Sequence, residues 1–140
     1  MRLRRATEAD CVDLWRWRND PVTRAMSRTS DEVDLAAHTA WFRGALLNPS
    51  ITLLIGETDD GKVGMVRFDH RDETEVSINL NPAFRGQGLS MALLGQALES
   101  VAGAVFAEIK DENAASRRLF ERAGFRRIGG GQGLGRYRRG

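Results

Sequence analysis

Cysteine is nearly absent from this chain: Cys11 is the single one among 140 residues. A lone thiol cannot close an internal disulfide. That excludes a disulfide-stapled scaffold and points to a reducing, cytoplasmic setting. Long hydrophobic runs are missing as well. No apolar stretch approaches the roughly 18 residues that a membrane span needs, so no membrane partner is expected. The opening Met1-Arg2-Leu3-Arg4-Arg5 leads toward acidic residues rather than an apolar segment and does not read as a signal peptide. Tyrosine occurs once, as Tyr137, and histidine twice, as His38 and His70. No metal site is expected. A strong charge imbalance is also lacking: the net charge is +2 and the pI about 9.2. That is too mild for a dedicated nucleic-acid binder. Arginine carries almost all the positive charge, and its planar fork suits phosphates and carboxylates.

What is present reads as one domain spanning residues 1–140, long enough to bury a core. Leu3 to Ala6 is a short strand. Thr7 with Asp10 is a helix start, and the following helix places Leu14 and Trp15 inward until Asn19-Asp20-Pro21 ends it. Thr29 with Glu32 signals a second helix carrying Leu35, His38, Phe42 and Leu46 at helical spacing. Three strands follow: Ile51 to Gly56, Val63 to Asp69, and the strictly alternating Val76 to Leu80. Asp59-Asp60-Gly61 forms the first turn between them. Leu89, Leu93, Leu94, Ala97, Leu98 and Val101 form a helical stripe. Val105 to Ile109 is a strand, and Asn113 caps a helix ended by Gly124. Phe125 to Ile128 and Leu134 to Arg138 are two last strands, joined by a flexible glycine-rich link. The order implies a mixed sheet with helices on both faces.

The most informative stretch is Asn81-Pro82-Ala83-Phe84-Arg85-Gly86-Gln87-Gly88-Leu89-Ser90. A strand ends, two glycines turn the chain, and a helix begins. The first amides of a helix lack internal partners, and the helix dipole favours negative charge there. Glycine removes the side chains that would hold a phosphate away, so the segment suits a pyrophosphate. A Walker A loop fails, because Gly61-Lys62 is followed by Val63. The Gly-x-Gly-x-x-Gly dinucleotide fingerprint fails at Met91.

The stretch Arg85-Gly86-Gln87-Gly88-Leu89-Ser90 resembles the acetyl-CoA signature of the GNAT acetyltransferases, Gln/Arg-x-x-Gly-x-Gly/Ala, with Ser90 in the last position. Lys110 to Phe125 resembles the family's second signature through Asn113, Ser116, Leu119, Phe120, Gly124 and Phe125. The resemblance covers essentially the whole chain. It implies an α/β (α+β) fold: a mixed, mostly antiparallel central sheet of about seven strands flanked by four helices. It implies acetyl-CoA as co-substrate, with the backbone of Ile78, Asn79 and Leu80 pairing with the pantetheine arm. The amides of Gly86, Gln87, Gly88, Leu89 and Ser90 would hold the pyrophosphate, with Arg85 as an outer partner. Asn113 and Ser116 would lie against the cofactor arm.

Acetyl transfer needs a neutral amine, a polarised thioester carbonyl and a proton for the leaving thiolate. The family often has a tyrosine acid where this chain has Phe120, which cannot donate a proton. Tyr137 is the one tyrosine that could substitute. Candidates for the base are His38, Glu75, Asp69 and His70, with His38 and Glu75 foremost. The segments Trp15-Arg16-Trp17-Arg18-Asn19 and His38-Thr39-Ala40-Trp41-Phe42 resemble enzymes that acetylate nucleotide-linked amino sugars, as in pseudaminic acid synthesis. Much the same segments occur in ribosomal-protein N-terminal acetyltransferases. The resemblance makes Trp17, Arg18, Asn19, Arg24, His38 and Trp41 acceptor-site candidates for a small amine, and it admits a homodimer. A non-catalytic acyl-CoA-binding sensor is the alternative from another class, suggested by Phe120.

Overall fold

A computed structural model of the chain describes residues 1–27 and 29–140. Its elements run β1 (Arg2–Arg5), α1 (Cys11–Asn19), α2 (Pro21–Met26), α3 (Leu35–Leu47), β2 (Ile51–Thr58), β3 (Gly61–His70) and β4 (Thr74–Leu80), then α4 (Leu89–Leu98), β5 (Val105–Lys110), α5 (Ala114–Arg122), β6 (Arg126–Gly131) and β7 (Leu134–Arg139). The strands form one seven-stranded sheet in the order β1-β2-β3-β4-β5-β7-β6. Every neighbouring pair is antiparallel except β4 with β5. Among the described residues no helix is long and apolar enough to cross a membrane.

Five α-helices stand where four are expected. The additional one, α2, begins at the proline read as a terminator. Proline at a first helical position loses no hydrogen bond, because that N–H has no partner in any helix. Asp20 caps this helix, accepting from the amides of Val22 and Thr23 at 3.1 Å each. Helix α3 starts later than Thr29 and Glu32 suggest, with Asp34 as the cap accepting from the Ala37 amide at 3.2 Å. In α1 the inward tryptophan is Trp17 rather than Trp15. Trp17 is buried beside Leu14, whereas the Trp15 indole donates to the Val33 carbonyl at 2.6 Å. Helical spacing explains the swap: Trp17, three residues after the buried Leu14, shares its face, while Trp15 lies at the margin and finds a carbonyl partner. The glycine-rich link is mostly strand, since β6 runs through Gly129 to Gly131 before turning at Gln132 and Gly133. The Asn113 cap and the Gly124 stop of α5 stand as expected.

Two hydrophobic cores hold the layers together. One joins α4 and α5 to the sheet through residues such as Leu93, Leu94, Leu98, Phe120, Val66 and Phe68. The other joins α1 and α3 to it through Leu14, Trp17, Phe42, Leu53, Ile55 and Met65. The first depends on close approach at one cross-strand pair, Gly56 opposite Gly64. A Cβ on Gly56 would lie 2.5 Å from Leu93, and one on Gly64 would lie 2.8 Å from the Asn79 carbonyl oxygen. Helix α4 therefore lies directly on backbone at this point.

Asp10 ties α1 to the sheet. Its carboxylate is fully buried and accepts from both terminal nitrogens of Arg4 on β1 at 2.8 Å, from the Thr7 amide at 2.8 Å, and pairs with Lys62 on β3 at 2.8 Å. Arg4 also pairs with Glu57, and Lys62 with Asp13. Burial by itself would raise the Asp10 pKa. The hydrogen bonds from Arg4 and Lys62 and the Thr7 amide outweigh it and hold the group well below the usual carboxylate range.

Two outcomes are expected from this packing. Gly64→Ala should cost about 1–3 kcal/mol in denaturant unfolding, because its new methyl meets backbone that cannot yield. Asp10→Ala should cost about 1–3 kcal/mol, since it removes the buried acceptor of the Thr7 amide and the shared partner of the half-buried Arg4 and Lys62, each of which keeps a second carboxylate. A carboxylate with a depressed folded pKa contributes its full stability above its unfolded pKa of about 4, and loses it as pH falls through the folded value. The wild type should thus lose stability below about pH 4, and the Asp10→Ala protein should show a smaller acid slope.

Candidate active site

The site begins with a break in sheet pairing. β4 pairs with β3 along its whole length, out to Leu80 opposite Gly64. With β5 it pairs only at Thr74 opposite Val105 and Glu75 opposite Phe106. β5 meanwhile stays paired to β7 through Lys110 opposite Leu134. The two parallel strands therefore splay apart after Glu75. From Val76 onward β4 is a strand in mid-sheet with one open edge, where an extended, amide-bearing chain can add as a strand.

The gap is a cavity of about 480 Å³. Ser77, Ile78 and Asn79 line it from β4, and Glu108, Ile109 and Lys110 from β5. Ser116 and Phe120 line it from α5, with Asn113, the N-cap of that helix. Asn113 serves as cap and wall together: its Oδ1 accepts from the Ser116 amide at 3.1 Å while the residue faces the cavity. The Asn79 Oδ1 is buried with no hydrogen-bond partner among the described residues. Phe120 packs edge-on against Phe125, centroids 5.1 Å apart.

Beyond the open edge lies the glycine turn. Asn81 holds its start, donating from Nδ2 to the Lys62 carbonyl at 2.8 Å and accepting from the Ala83 amide at 3.1 Å. Gly86 and Gly88 have φ of 75° and 72°, left-handed values that cost other residues about 1–2 kcal/mol. Gly88 is the N-cap of α4, and nothing lies within 4 Å of where a Cβ would stand on either glycine. The amides of Leu89 and Ser90 thus open a ten-residue helix behind unobstructed space. Gln87 is exposed, its side-chain amide near the Ala83 carbonyl. Arg85 has a different engagement from the one expected. Its guanidinium donates to Asp20, the cap of α2, and to the Thr23 hydroxyl at 3.0 Å. The Arg85 hydrogen bond holds the Asp20 pKa below its ordinary value.

Of the acceptor-site candidates, Arg18, His38 and Trp41 line the cavity, together with Thr23 and Met26 from α2. Trp17, Asn19 and Arg24 do not. Trp17 is in the core. Asn19 clamps the segment before α3, donating to the Val33 carbonyl and accepting from the Val33 amide, both at 2.8 Å. Arg24 lies 3.9 Å from Glu32. The Trp-Arg-Asn segment is thus largely a folding device: only its arginine reaches the cavity.

His38 is 2% exposed and stacked on Phe42, with centroids 5.9 Å apart. Its Nε2 is 3.0 Å from the Cys11 carbonyl, so that nitrogen carries the proton and donates. Burial lowers its pKa, the hydrogen bond to Cys11 raises it, and the nearby Arg18 charge lowers it. The net direction is down and the ring is neutral at physiological pH. Its Nδ1 has no partner among the described residues. Glu75 lines the cavity at the last paired position of the splay. Asp69 is paired to Arg67 at 2.9 Å, and His70 lies at the far end of β3 beside Thr52. Tyr137 is 2% exposed in the core, between Ala107 and Arg127 in the sheet, and does not line the cavity. A phenol there is packing, which removes the one tyrosine offered as an acid.

Sequence reasoning missed Arg67 and Glu108, both on the cavity wall. The signal for Arg67 was available: in a half-buried strand, Met65, Arg67 and Asp69 share a face. Asp20 was read as part of a helix stop, and its partner Arg85 is 65 residues away, beyond any local pattern. Among the described residues no group of three or more His, Cys, Asp or Glu side chains could hold a metal.

A family profile described as an acetyltransferase (GNAT) domain matches residues 1–126. Among solved structures, a ribosomal-protein-alanine N-acetyltransferase from Brucella melitensis is 25% identical with a TM-score of 0.81, covering 99% of both chains. The yncA protein from Salmonella typhimurium, solved with its cofactor acetyl-CoA, is 26% identical with a TM-score of 0.78, over 99% of this chain and 92% of that one. A spermidine N-acetyltransferase from Vibrio cholerae, solved with CoA and spermine, has a TM-score of 0.86 over 98% of this chain and 93% of that one. At 15% identity that last likeness concerns the fold alone. Among curated proteins, the uncharacterized protein ML0378 of Mycobacterium leprae is 33% identical over 73 residues, 49% of this chain. The match spans only about a fifth of that protein's length, 20%.

The turn geometry makes a direct forecast. Gly88→Val places a branched side chain at a left-handed φ in front of the helix amides. Calorimetry with CoA should show a Kd raised at least about tenfold, while circular dichroism stays native.

Proposed function

Because the chain belongs to the acetyltransferase (GNAT) domain family, we propose that it transfers the acetyl group of acetyl-CoA to the primary amine of a small acceptor by direct attack on the thioester. One observation carries this reading: the open edge of β4 leads straight into the glycine turn and the first amides of α4. An arm of peptide-like amides ending in a pyrophosphate matches that sequence of donors. Ile78, Asn79 and Leu80 would satisfy the arm, and the amides from Gly86 to Ser90 the phosphates. Asn113 and Ser116 face the same arm from α5. Arg85 braces the loop through Asp20 and Thr23 and need not touch the phosphate itself.

Acetyl-CoA supplies the activated acyl group; the chain supplies position and proton handling. Held at the splay, the thioester lies where backbone amides near Leu80 can meet charge developing on its carbonyl oxygen. Glu75 is the base of this proposal. It stands at the vertex of the splay and can accept the ammonium proton directly or through a water. His38 has one nitrogen committed to Cys11 and its ring packed against Phe42 and Trp41, which suits a residue that sets the Trp41 wall. Phe120 and the core position of Tyr137 leave the thiolate to take its proton from water or the product ammonium.

The finer reading is a nucleotide-linked amino sugar as acceptor. Arg18, Trp41 and His38 on the cavity support it, since guanidinium and indole together suit an anionic group and a sugar face. A protein N-terminus is the second reading, favoured by the near-complete overlap with the ribosomal-protein-alanine enzyme. The proposal extends to a cytoplasmic protein, supported by its lone free thiol. It also extends to a homodimer, supported by the wholly exposed outer strand β6.

Release of free thiol from acetyl-CoA, followed across an amine panel, tests the activity. Tight CoA binding without release for any amine would favour a sensor domain instead. Glu75→Gln should lower kcat at neutral pH about a hundredfold with little change in CoA affinity. Tyr137→Phe should keep kcat within about twofold of wild type, as expected of a core residue away from the chemistry.

A further inference from the structure

Two guanidinium groups share one wall of the cavity. Arg18 comes from α1 and Arg67 from β3, and both approach the same indole: their central carbons stand 5.8 Å and 5.0 Å from the Trp41 ring centroid. Like charges so placed repel. Burial, and then the charge of Arg67, lower the pKa of Arg18. Arg67 is partly neutralised by Asp69, which accepts from its Nη2 at 2.9 Å, but its Nε is buried without a partner among the described residues. Among those residues no carboxylate lies within ion-pair reach of Arg18. A buried donor left without a partner is unfavourable. An anion entering the cavity would relieve that cost and the mutual repulsion together.

Register shows how such an anion would lie relative to the reaction centre. Arg67 is opposite Ser77 and Asp69 opposite Glu75 in the β3–β4 ladder. Residues two apart share a face, so Met65 and Arg67 lie on the same face as Glu75, Ser77 and Asn79. That face is packed by α1 and α3, which bring Arg18 and Trp41. The cation-bearing wall and the Glu75 vertex are therefore on one side of the sheet. Glu108 lines the same cavity from β5. Cationic and anionic groups thus share one small volume.

We propose that Arg18 and Arg67, both placed against Trp41, form an anion subsite that selects an amine acceptor bearing a carboxylate or phosphate group. This rests on the acetyltransferase reading and narrows it. The anionic end sits against the two guanidinium forks, and the amine points toward Glu75 and the thioester. Polycationic amines are disfavoured by the same wall, because their second charge meets Arg18 and Arg67. Carboxylate and diphosphate share this chemistry, and the assay separates them.

The test pairs each anionic acceptor with its neutral analogue. Amino acids are compared with their amides, and a UDP-linked amino sugar with the free amino sugar, with spermidine as the cationic control. The favoured source should show kcat/KM about ten- to a hundredfold above its neutral partner, the range expected for a charge-assisted contact. Arg18→Gln should erase that preference through KM while leaving the Kd for CoA unchanged. Arg67→Lys, which keeps the charge but not the fork, should erase part of it. Binding is read separately: calorimetric titration of the CoA-saturated protein with glutamate and with UDP should give heat for at least one, and none after Arg18→Gln. Equal turnover of acids and amides, a preference for spermidine, or no heat from either probe would overturn the subsite. Failure of the acetyltransferase reading is a separate result: CoA itself would give no heat, or would bind without thiol release for any amine, anionic or neutral.

Discussion

The molecule is organised around one interruption of hydrogen bonding. β4 and β5 form the single parallel contact of the sheet, and it stops after Glu75. The flanking pairs do not stop: β3 holds β4 to Leu80, and β7 holds β5 to Lys110. Each strand is thus fixed from its outer side, and the gap between them persists without further support. Parallel strands need a long crossover, and here α4 provides it, so the turn that starts α4 necessarily lies at the open end of the gap. The open edge, the glycine turn and the first amides of α4 form one continuous stretch of chain for that reason. Gly64 lets α4 lie close enough for this geometry, since its bare backbone sits against both Leu93 and the Asn79 carbonyl.

Electrostatics acts at two depths. Asp10 with Arg4 and Lys62 is a saturated network, in which every buried charge has partners and the carboxylate stays ionised. It fixes α1 against the sheet and hence the base of the acceptor wall. The wall itself is unsaturated among the described residues: Arg67 keeps a buried N–H without a partner there, and His38 a lone pair. Fulfilled charge in the scaffold and unfulfilled polarity at the cavity are the pattern expected of a site waiting for a ligand.

The backbone of the proposed cofactor half was legible in the sequence, and the side chains around the cavity much less so. The open strand, the glycine turn and the Asn113 cap depend on short-range rules, namely alternation, backbone conformation and helix ends, and these are written in consecutive residues. Local rules also misled. Pro21 reads as a stop, yet a capping Asp20 makes it a start. Trp15 and Trp17 are both aromatic and two apart, and the carbonyl that receives the marginal Trp15, that of Val33, lies far along the chain. Tyr137 looks available as an acid because nothing local reveals that its strand is covered. Arg67 and Arg18 meet over Trp41 only because β3, α1 and α3 converge there, and no window of sequence contains all three.

The short helix α2 is fastened at both banks of the gap. Asp20 and Thr23 hold Arg85 of the phosphate turn, and the Ala25 carbonyl accepts from the Lys110 ammonium on β5 at 3.2 Å. Thr23 and Met26 of the same helix form part of the acceptor wall. The glycine turn and the cavity are consequently joined by one brace of six residues. In the proposed function the seats of cofactor and acceptor would share that single support.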